Sequence, residues 1–188
     1  MNEILNTIIS RRSIRKFKPE QIKNEELQTI LEAGKYAPSA KNQQPWHFTV
    51  IQNKEMLNKI NEACKDVLIK THNERFEQLS KEVDAKNISV MHNTPTLIIV
   101  SGDRNATAPQ IDCALAIQNM SLAAESLGIG SCWIYAIYHL YSDTQGKDFL
   151  INKGIIPEGY VFTGSCAFGY KALEPQAPPR KNDVVTFM

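Results

Sequence analysis

The chain has 188 residues, of which 43% are hydrophobic and 22% are charged, and its formal net charge is +1. This composition is typical of a soluble globular protein and predicts a single domain over residues 1–188. A net charge so close to zero excludes a global field that attracts nucleic acid or an anionic membrane, so any basic function must come from local clusters.

The start of the chain and its cysteines predict neither export nor metal binding. Residues 1–17 place their arginines and lysine last and contain no long apolar run, which is the reverse of a secretory signal. The longest apolar runs are far too short to span a bilayer. The four cysteines form no C-x-x-C pair and have no histidine at ligand spacing, which disfavours a disulfide framework and a zinc site. We therefore expect a cytoplasmic protein with no bound metal and no membrane partner.

Hydrophobic spacing in the first half of the chain predicts three helices and one strand. A short amphipathic helix over 2–10 is followed by a basic, irregular link that ends at Pro19. Asn24 is expected to be the N-cap of the second helix, and Gly34 should loosen the end of that helix. A strand over 47–52 and a third helix over 54–70 come next.

The second half begins with a polar, poorly periodic stretch, 71–93, which we expect to be partly helical and mobile. A buried strand over 97–100 leads to a helix over 111–127, which is apolar nearly all round and so belongs at the centre of a domain or in a subunit interface. Gly128 should end that helix. The remaining elements are strands over 131–138 and 160–168, a short helix over 144–152 and an extended, proline-rich tail from residue 173. Together they predict an α+β layered domain.

A basic cluster follows the first helix and contains Arg11, Arg12, Ser13 and Arg15. Guanidinium groups offer paired donors in the geometry that a phosphate accepts. In an extended link, side chains two apart, such as those of Arg11, Ser13 and Arg15, point to one side. The alternative is a solvated basic turn or a nucleic-acid patch, which on spacing alone is the outcome in about two cases of three.

The loop over 37–45 concentrates small and amide residues between two prolines, just before aromatic residues at a strand entrance. Such a stiff polar loop can recognise a planar heterocycle with several donors and acceptors. An ordinary helix-to-strand turn with a packing Trp46 explains the same composition equally well.

Two further segments carry weaker signals. Gly128 and Gly130 permit a close backbone approach, but no G-x-G-x-x-G motif follows a strand, so a dinucleotide fold is not predicted. Cys132 fits strand packing better than a nucleophilic role. The tail presents Arg180 and Lys181 after two prolines as a rigid cationic arm, which alone indicates little.

In their order along the chain, these segments resemble the FMN-dependent nitroreductase family. The resemblance covers nearly the whole chain except 71–93 and 138–157. The matching residues are Arg11-Arg12-Ser13-Ile14-Arg15, Ala37-Pro38-Ser39, Asn42, Gln44-Pro45-Trp46, Phe48, Asp112, Gln118-Asn119-Met120, Ala123-Ala124, the run from Leu127 to Ile134, the strand from Gly164 to Gly169, and Pro179-Arg180-Lys181.

The resemblance implies a nitroreductase-like fold with a central, mainly antiparallel sheet flanked by helices, and an intertwined homodimer with FMN at the subunit interface. It also assigns three groups of flavin-binding residues. The phosphate and ribityl chain would be held by Arg11, Arg12, Ser13, Arg15, Arg180 and Lys181. The partner subunit would supply Pro38, Ser39, Ala40 and Asn42. The segment Trp133, Ile134, Tyr135 and Ala136 would lie against the isoalloxazine ring and offer a backbone N–H toward N5.

The expected activity is the reduction of a small-molecule acceptor, such as a nitroaromatic or a quinone, with NADH or NADPH as the electron donor. Hydride would pass through flavin N5 in a ping-pong sequence, Arg15 would stabilise negative charge near N1 and O2, and no acid or base side chain is assigned. Many family members carry an acidic residue or glycine where this chain has Tyr135 and Ala136, which leaves the acceptor open. The alternatives are a flavoenzyme that carries out reductive dehalogenation or ene reduction, and a non-catalytic flavin-binding protein.

Overall fold

The computed structural model of the chain describes residues 2–82, 84 and 87–188. Within these residues it has one four-stranded sheet and two layers of helices. The elements in chain order are α1 (Glu3–Ser10), α2 (Asn24–Lys35), β1 (Trp46–Ile51), α3 (Lys54–Lys70), α4 (Glu74–Glu82), β2 (Thr96–Asp103), α5 (Pro109–Ser126), β3 (Ile129–Trp133), α6 (Ala136–Ser142), α7 (Thr144–Asn152) and β4 (Tyr160–Tyr170).

The sheet has the strand order β1-β2-β4-β3, and every neighbouring pair is antiparallel. Strand β2 lies inside the sheet and is apolar on both faces, because successive side chains of a strand point to opposite sides. Leu97 and Ile99 enter one core cluster, whereas Ile98 and Val100 enter the other. The sheet therefore separates two hydrophobic cores.

Helices α3, α6 and α7 supply one core, and helices α2 and α5 supply the other. The buried side chains on the first face include Leu57, Ile60, Cys64, Ile137, Leu140 and Leu150. Those on the second face include Leu27, Ile30, Cys113, Ile117, Met120 and Ala124. Among the described residues, no helix has the length and apolar character needed to cross a bilayer.

Helix α5 is apolar on both its inner and its outer side, as expected. It begins at Pro109, whose missing N–H costs nothing in the first turn, and Gly128 follows its end with φ +74°. On the outer side Ile111 is 66% exposed. An outer face of this kind is typical of a surface that another chain covers.

The predicted strand over 131–138 is wrong in its second half. Strand β3 ends at Trp133, and helix α6 begins at Ala136. The Ile134 N–H still donates to the Ser165 carbonyl (2.9 Å), after which Tyr135 turns into a helical conformation. The aromatic and β-branched run has strand propensity, but packing of Ile137 and Leu140 in the core overrides it.

Two details of α2 also differ from the prediction. The N-cap position is occupied by Lys23 rather than Asn24, and the Glu26 carboxylate accepts a hydrogen bond from the Lys23 N–H (2.9 Å). Gly34 is buried, and a Cβ at this position would lie 2.9 Å from Met120 Cγ. The glycine therefore permits close packing of α2 on α5 instead of loosening the helix end.

The polar stretch over 71–93 is partly helical, as predicted, since α4 occupies Glu74–Glu82. Residues 83, 85 and 86 of this stretch lie outside the described residues. From Leu173 onward the tail is exposed and extended, also as predicted.

Candidate functional site

A cavity of about 310 Å³, here called the site cavity, lies where the end of β3 meets α4, α6 and the link that follows α1. Its size is within the range of small-molecule sites. Its lining combines aromatic, apolar and cationic side chains: Arg15, Leu68, Asn73, Arg75, Phe76, Leu79, Ser89, Val90, His92, Cys132, Trp133, Ile134, Tyr135, Ala136 and His139.

The basic link, residues 11–18, runs along β3. The Ile14 N–H donates to the Ser131 carbonyl (2.9 Å), and Ser13 forms a parallel bridge with Ser131. Ile14 is buried over Gly130, where a Cβ would lie 2.8 Å from Ile14 Cγ1. Gly130 therefore serves the close approach of the link to β3, which fixes the position of the basic cluster.

Three members of the basic cluster surround Cys132 of β3, which lines the site cavity. Burial raises the pKa of the Cys132 thiol, while Arg15, Ser13 and Arg11 act in the opposite direction. Arg12 is placed differently, because its guanidinium donates to the Ile9 carbonyl (2.6 Å) and to the Arg11 carbonyl (2.7 Å). Arg12 lines a separate cavity at the start of the tail, and its role in flavin binding stays a prediction.

One wall of the site cavity, here called the sheet wall, consists of Trp133, Ile134 and Tyr135. The Ile134 N–H is used by the Ser165 carbonyl, and the Ser165 hydroxyl donates to the Ile134 carbonyl (2.8 Å). The Tyr135 N–H has no acceptor among the described residues, so it is free for a ligand. Trp133 lies over Gly164, where a Cβ would be 2.6 Å from the indole Cη2.

Aromatic side chains flank the sheet wall at the start of α6. Tyr135 is 57% exposed and stacks on Tyr138 with a centroid distance of 4.9 Å. The His139 ring meets Tyr135 edge-on at 5.3 Å. The residue that departs from the family pattern, Tyr135, therefore presents an aromatic surface to the site cavity.

The second wall, here called the helix wall, is α4. Phe76 is only 5% exposed and packs with Leu68 and Ile88 in a small cluster of its own, while Arg75 and Leu79 line the site cavity. Sequence reasoning missed Arg75, because the stretch shows little periodicity. The spacing of Phe76 and Leu79 is an apolar signal within this stretch.

His92 is a further lining residue that the sequence did not single out. Its backbone is left-handed, with φ +58°, and its N–H donates to the Ser89 carbonyl (3.1 Å). Burial lowers the pKa of the imidazole, and the positive charges of Arg15 and Arg75 lower it further. The folded structure therefore favours the neutral form of the His92 imidazole.

The loop over 37–45 does not line the site cavity of its own chain. The Ala40 N–H donates to the Asp112 carboxylate (3.2 Å), and the Gln44 amide donates to the Asn42 side-chain oxygen (3.0 Å). The Ser39 hydroxyl accepts from the Gln44 N–H (3.0 Å). These contacts hold the loop against the start of α5, on the side of the second core.

Arg180 and Lys181 lie in the exposed tail. Within the described part of the chain, no hydrogen bond or ion pair joins either side chain to the basic link. One copy of the chain therefore does not bring these two cations to the site cavity, and their predicted role in flavin binding stays untested.

The nitroreductase family model matches residues 8–170, and the chain belongs to the nitroreductase family. A relative from Archaeoglobus fulgidus, provisionally named an NADH dehydrogenase/NAD(P)H nitroreductase, is 34% identical over 175 residues, which are 90% of this chain and 86% of that protein. A crystal structure of a nitroreductase with bound FMN from Bacteroides fragilis shares 36% identity and has a TM-score of 0.88, with 100% of both chains covered. An iodotyrosine deiodinase from Thermotoga neapolitana is 29% identical over 162 residues, which are 80% of this chain and 84% of that protein. The α+β nitroreductase-like fold is therefore confirmed.

Proposed function

We propose that the chain is an FMN-dependent NAD(P)H oxidoreductase that reduces aromatic acceptors such as nitroaromatics or quinones. The observation that carries this proposal is the composition of one cavity, in which arginine from the basic link meets an exposed aromatic surface beside a free backbone N–H. The FMN-bound nitroreductase with similar sequence and fold supports the same cofactor.

The residues around the site cavity fit the parts of FMN. Arg11 and Ser13 of the basic link offer charge-assisted donors to the phosphate. Trp133, Ile134 and Tyr135 would lie along the ring, and the free Tyr135 N–H is the donor that could face N5. When bound, FMN supplies two-electron transfer between a nicotinamide and an acceptor that use the same slot in turn.

The protein contributes charge, orientation and exclusion of water rather than an acid or a base. Arg15 places a permanent cation at the site cavity, where it would stabilise negative charge near N1 and O2 of the ring. Protons would come from solvent or from the bound acceptor.

A homodimer completes the site in this proposal. The predicted ligands Pro38, Ser39, Ala40 and Asn42, and the predicted ligands Arg180 and Lys181, do not line the cavity of their own chain, so a second copy would supply them. Exposed apolar side chains support this assembly, since Ile4 on α1 is 70% exposed and Ile111 on α5 is also solvent-facing. Apolar surface of this kind is typical of an interface.

The visible spectrum of the purified protein tests the proposal. We expect a yellow dimer whose flavin absorbance bleaches when NADH or NADPH is added without oxygen, and returns when a nitroaromatic or a quinone follows. A colourless protein that does not bind added FMN would refute the cofactor assignment. Bound flavin that ignores both nicotinamides would instead indicate a non-catalytic flavin-binding protein.

Reductive dehalogenation is a second candidate, because a relative named as an iodotyrosine deiodinase covers most of the chain. The two activities separate in the second half of the reaction. Halide release from a halogenated phenol, with no reoxidation by nitroaromatics, would favour dehalogenation.

A further inference from the structure

The part of the site cavity that the structure describes is rich in cations. Its described lining includes two arginines and two histidines, and no aspartate or glutamate. Among the described side chains, no ion pair joins Arg15 or Arg75 to a carboxylate. On α4 itself, Glu77 contacts the His72 ring (Oε1 to Nδ1, 3.2 Å) instead. Unpaired cations that converge on a cavity favour an anionic ligand.

Arg75 lies on the cavity side of α4. The pKa of His92 is lowered by burial and then by the positive charges of Arg15 and Arg75. The charge of Arg75 also lowers the pKa of the Cys132 thiol on β3, although burial has the larger effect there and raises it. The groups that face His92 are thus Arg15 of the basic link and Arg75 of α4, with His139 of α6 on the same lining.

The two arginines belong to different parts of the fold. Arg15 follows Arg11 and Ser13 on the basic link, which the proposed function assigns to FMN. Arg75 lies on the helix wall, whose apolar anchor is the small cluster of Phe76, Leu68 and Ile88. A cation supplied by this separate wall is available for a second anion.

We infer that Arg75 determines specificity by binding an acidic substituent of the acceptor, so that the preferred acceptors are aromatic carboxylates. The inference rests on the proposed function. The aromatic part of such a molecule would stack on the ring of Tyr135, which lines the site cavity and is 57% exposed. The guanidinium of Arg75 would pair with the carboxylate in bidentate geometry.

Rapid mixing of the reduced holoenzyme with two matched acceptors tests this inference. The holoenzyme is reduced with dithionite, so that no nicotinamide is present, and is mixed with 4-nitrobenzoate or with its uncharged analogue 4-nitrobenzamide. We expect wild-type protein to bind the carboxylate about tenfold more tightly. Arg75→Gln should remove this preference without changing affinity for the amide, and Arg75→Lys should retain part of it.

Lys81→Gln is the matched control, because Lys81 is an exposed cation on α4 that does not line the site cavity. It should keep the wild-type preference. Equal binding of the two acceptors by wild type, or the same loss in Lys81→Gln, overturns the inference. Release of FMN from Arg75→Gln also overturns the inference, because Arg75 would then bind the cofactor phosphate. So does a variant in which only reduction by NADH or NADPH is weakened, because Arg75 would then bind the electron donor. A protein that binds no FMN, or that nicotinamides do not reduce, refutes the proposed function instead.

Discussion

The two walls of the site cavity are built in different ways. The sheet wall continues β3, and reciprocal hydrogen bonds between Ile134 and Ser165 tie it to β4. The helix wall is α4, whose apolar anchor is the three-residue cluster of Leu68, Phe76 and Ile88. Local stability follows the number of buried apolar contacts, so the helix wall should open at a lower free energy than the sheet wall.

This difference indicates a division of roles. A wall fixed by the sheet can hold a cofactor ring in one position, as preorganised sites require. A wall attached through a small cluster can change sequence and shape without disturbing the core. Specificity for the second reactant is therefore expected from Arg75 and its neighbours on α4, whereas cofactor binding is expected from the sheet wall and the basic link.

The largest expected effect follows from Phe76→Ala, which removes the central anchor of the helix wall. Phe→Ala substitutions at buried positions cost about 3–5 kcal/mol, and here the loss should fall on the local stability of α4. Hydrogen exchange should show lost protection in residues 74–82 and unchanged protection in β3 and β4. If β3 and β4 lose protection to the same extent, the two walls are not independent.

A smaller effect is expected from Gly164→Ala on β4, because this glycine lies against Trp133 of the sheet wall. The added Cβ would lie 2.6 Å from Trp133 Cη2 and 2.7 Å from Ile117 Cδ1, so one of these side chains must move. Overpacking of this kind costs about 1–3 kcal/mol and should lower the Tm of the whole protein. Truncating the indole as well, in Gly164→Ala with Trp133→Leu, should recover part of the loss. An unchanged Tm in the single variant would contradict the packing assigned to this wall.

The smallest effect concerns pH and His92. Its folded-state pKa is lowered by burial and by Arg15 and Arg75, so the unfolded chain takes up a proton more readily than the folded one. Stability should therefore fall as the pH drops below the ordinary histidine pKa of about 6.5 and continue to fall down to the folded-state pKa. Urea unfolding between about pH 5 and pH 8 should show a weaker acid sensitivity in His92→Gln. If His92→Gln keeps the wild-type dependence on pH, His92 does not titrate in the way described.

Much of the fold could be predicted because local signals agree with the tertiary structure. Helices α3 and α7 have the predicted bounds, and side chains cap both of them: Asn53 accepts from the Met56 N–H (2.9 Å), and Asp143 accepts from the Gly146 N–H (3.0 Å). The end of β3 could not be predicted, because Tyr135 and Tyr138 have strand propensity. The chain leaves the strand after Trp133 because α6 packs in the core, which is a tertiary contact.

The structure brings together only part of the predicted site. Arg15 of the basic link and the sheet wall line one cavity, and their role in flavin binding stays a prediction. Arg75 and His92 could not be assigned to the site from the sequence. They meet only in the folded structure, and the stretch that contains them shows little hydrophobic periodicity. The predicted convergence of the loop over 37–45 and the tail requires a second copy of the chain, which the sequence alone cannot place.

The central claim is that cations from both ends of the chain bind one FMN phosphate, and equilibrium dialysis tests it most directly. Arg11→Ala with Arg180→Ala should weaken FMN binding by about 3–6 kcal/mol, because two charge-assisted contacts are lost. The matched double variant Lys81→Ala with Arg104→Ala removes the same number of positive charges from exposed positions outside the basic link and the tail, so it should retain most of its flavin. A first variant that stays yellow after dialysis, or a second that loses FMN equally, would contradict the account.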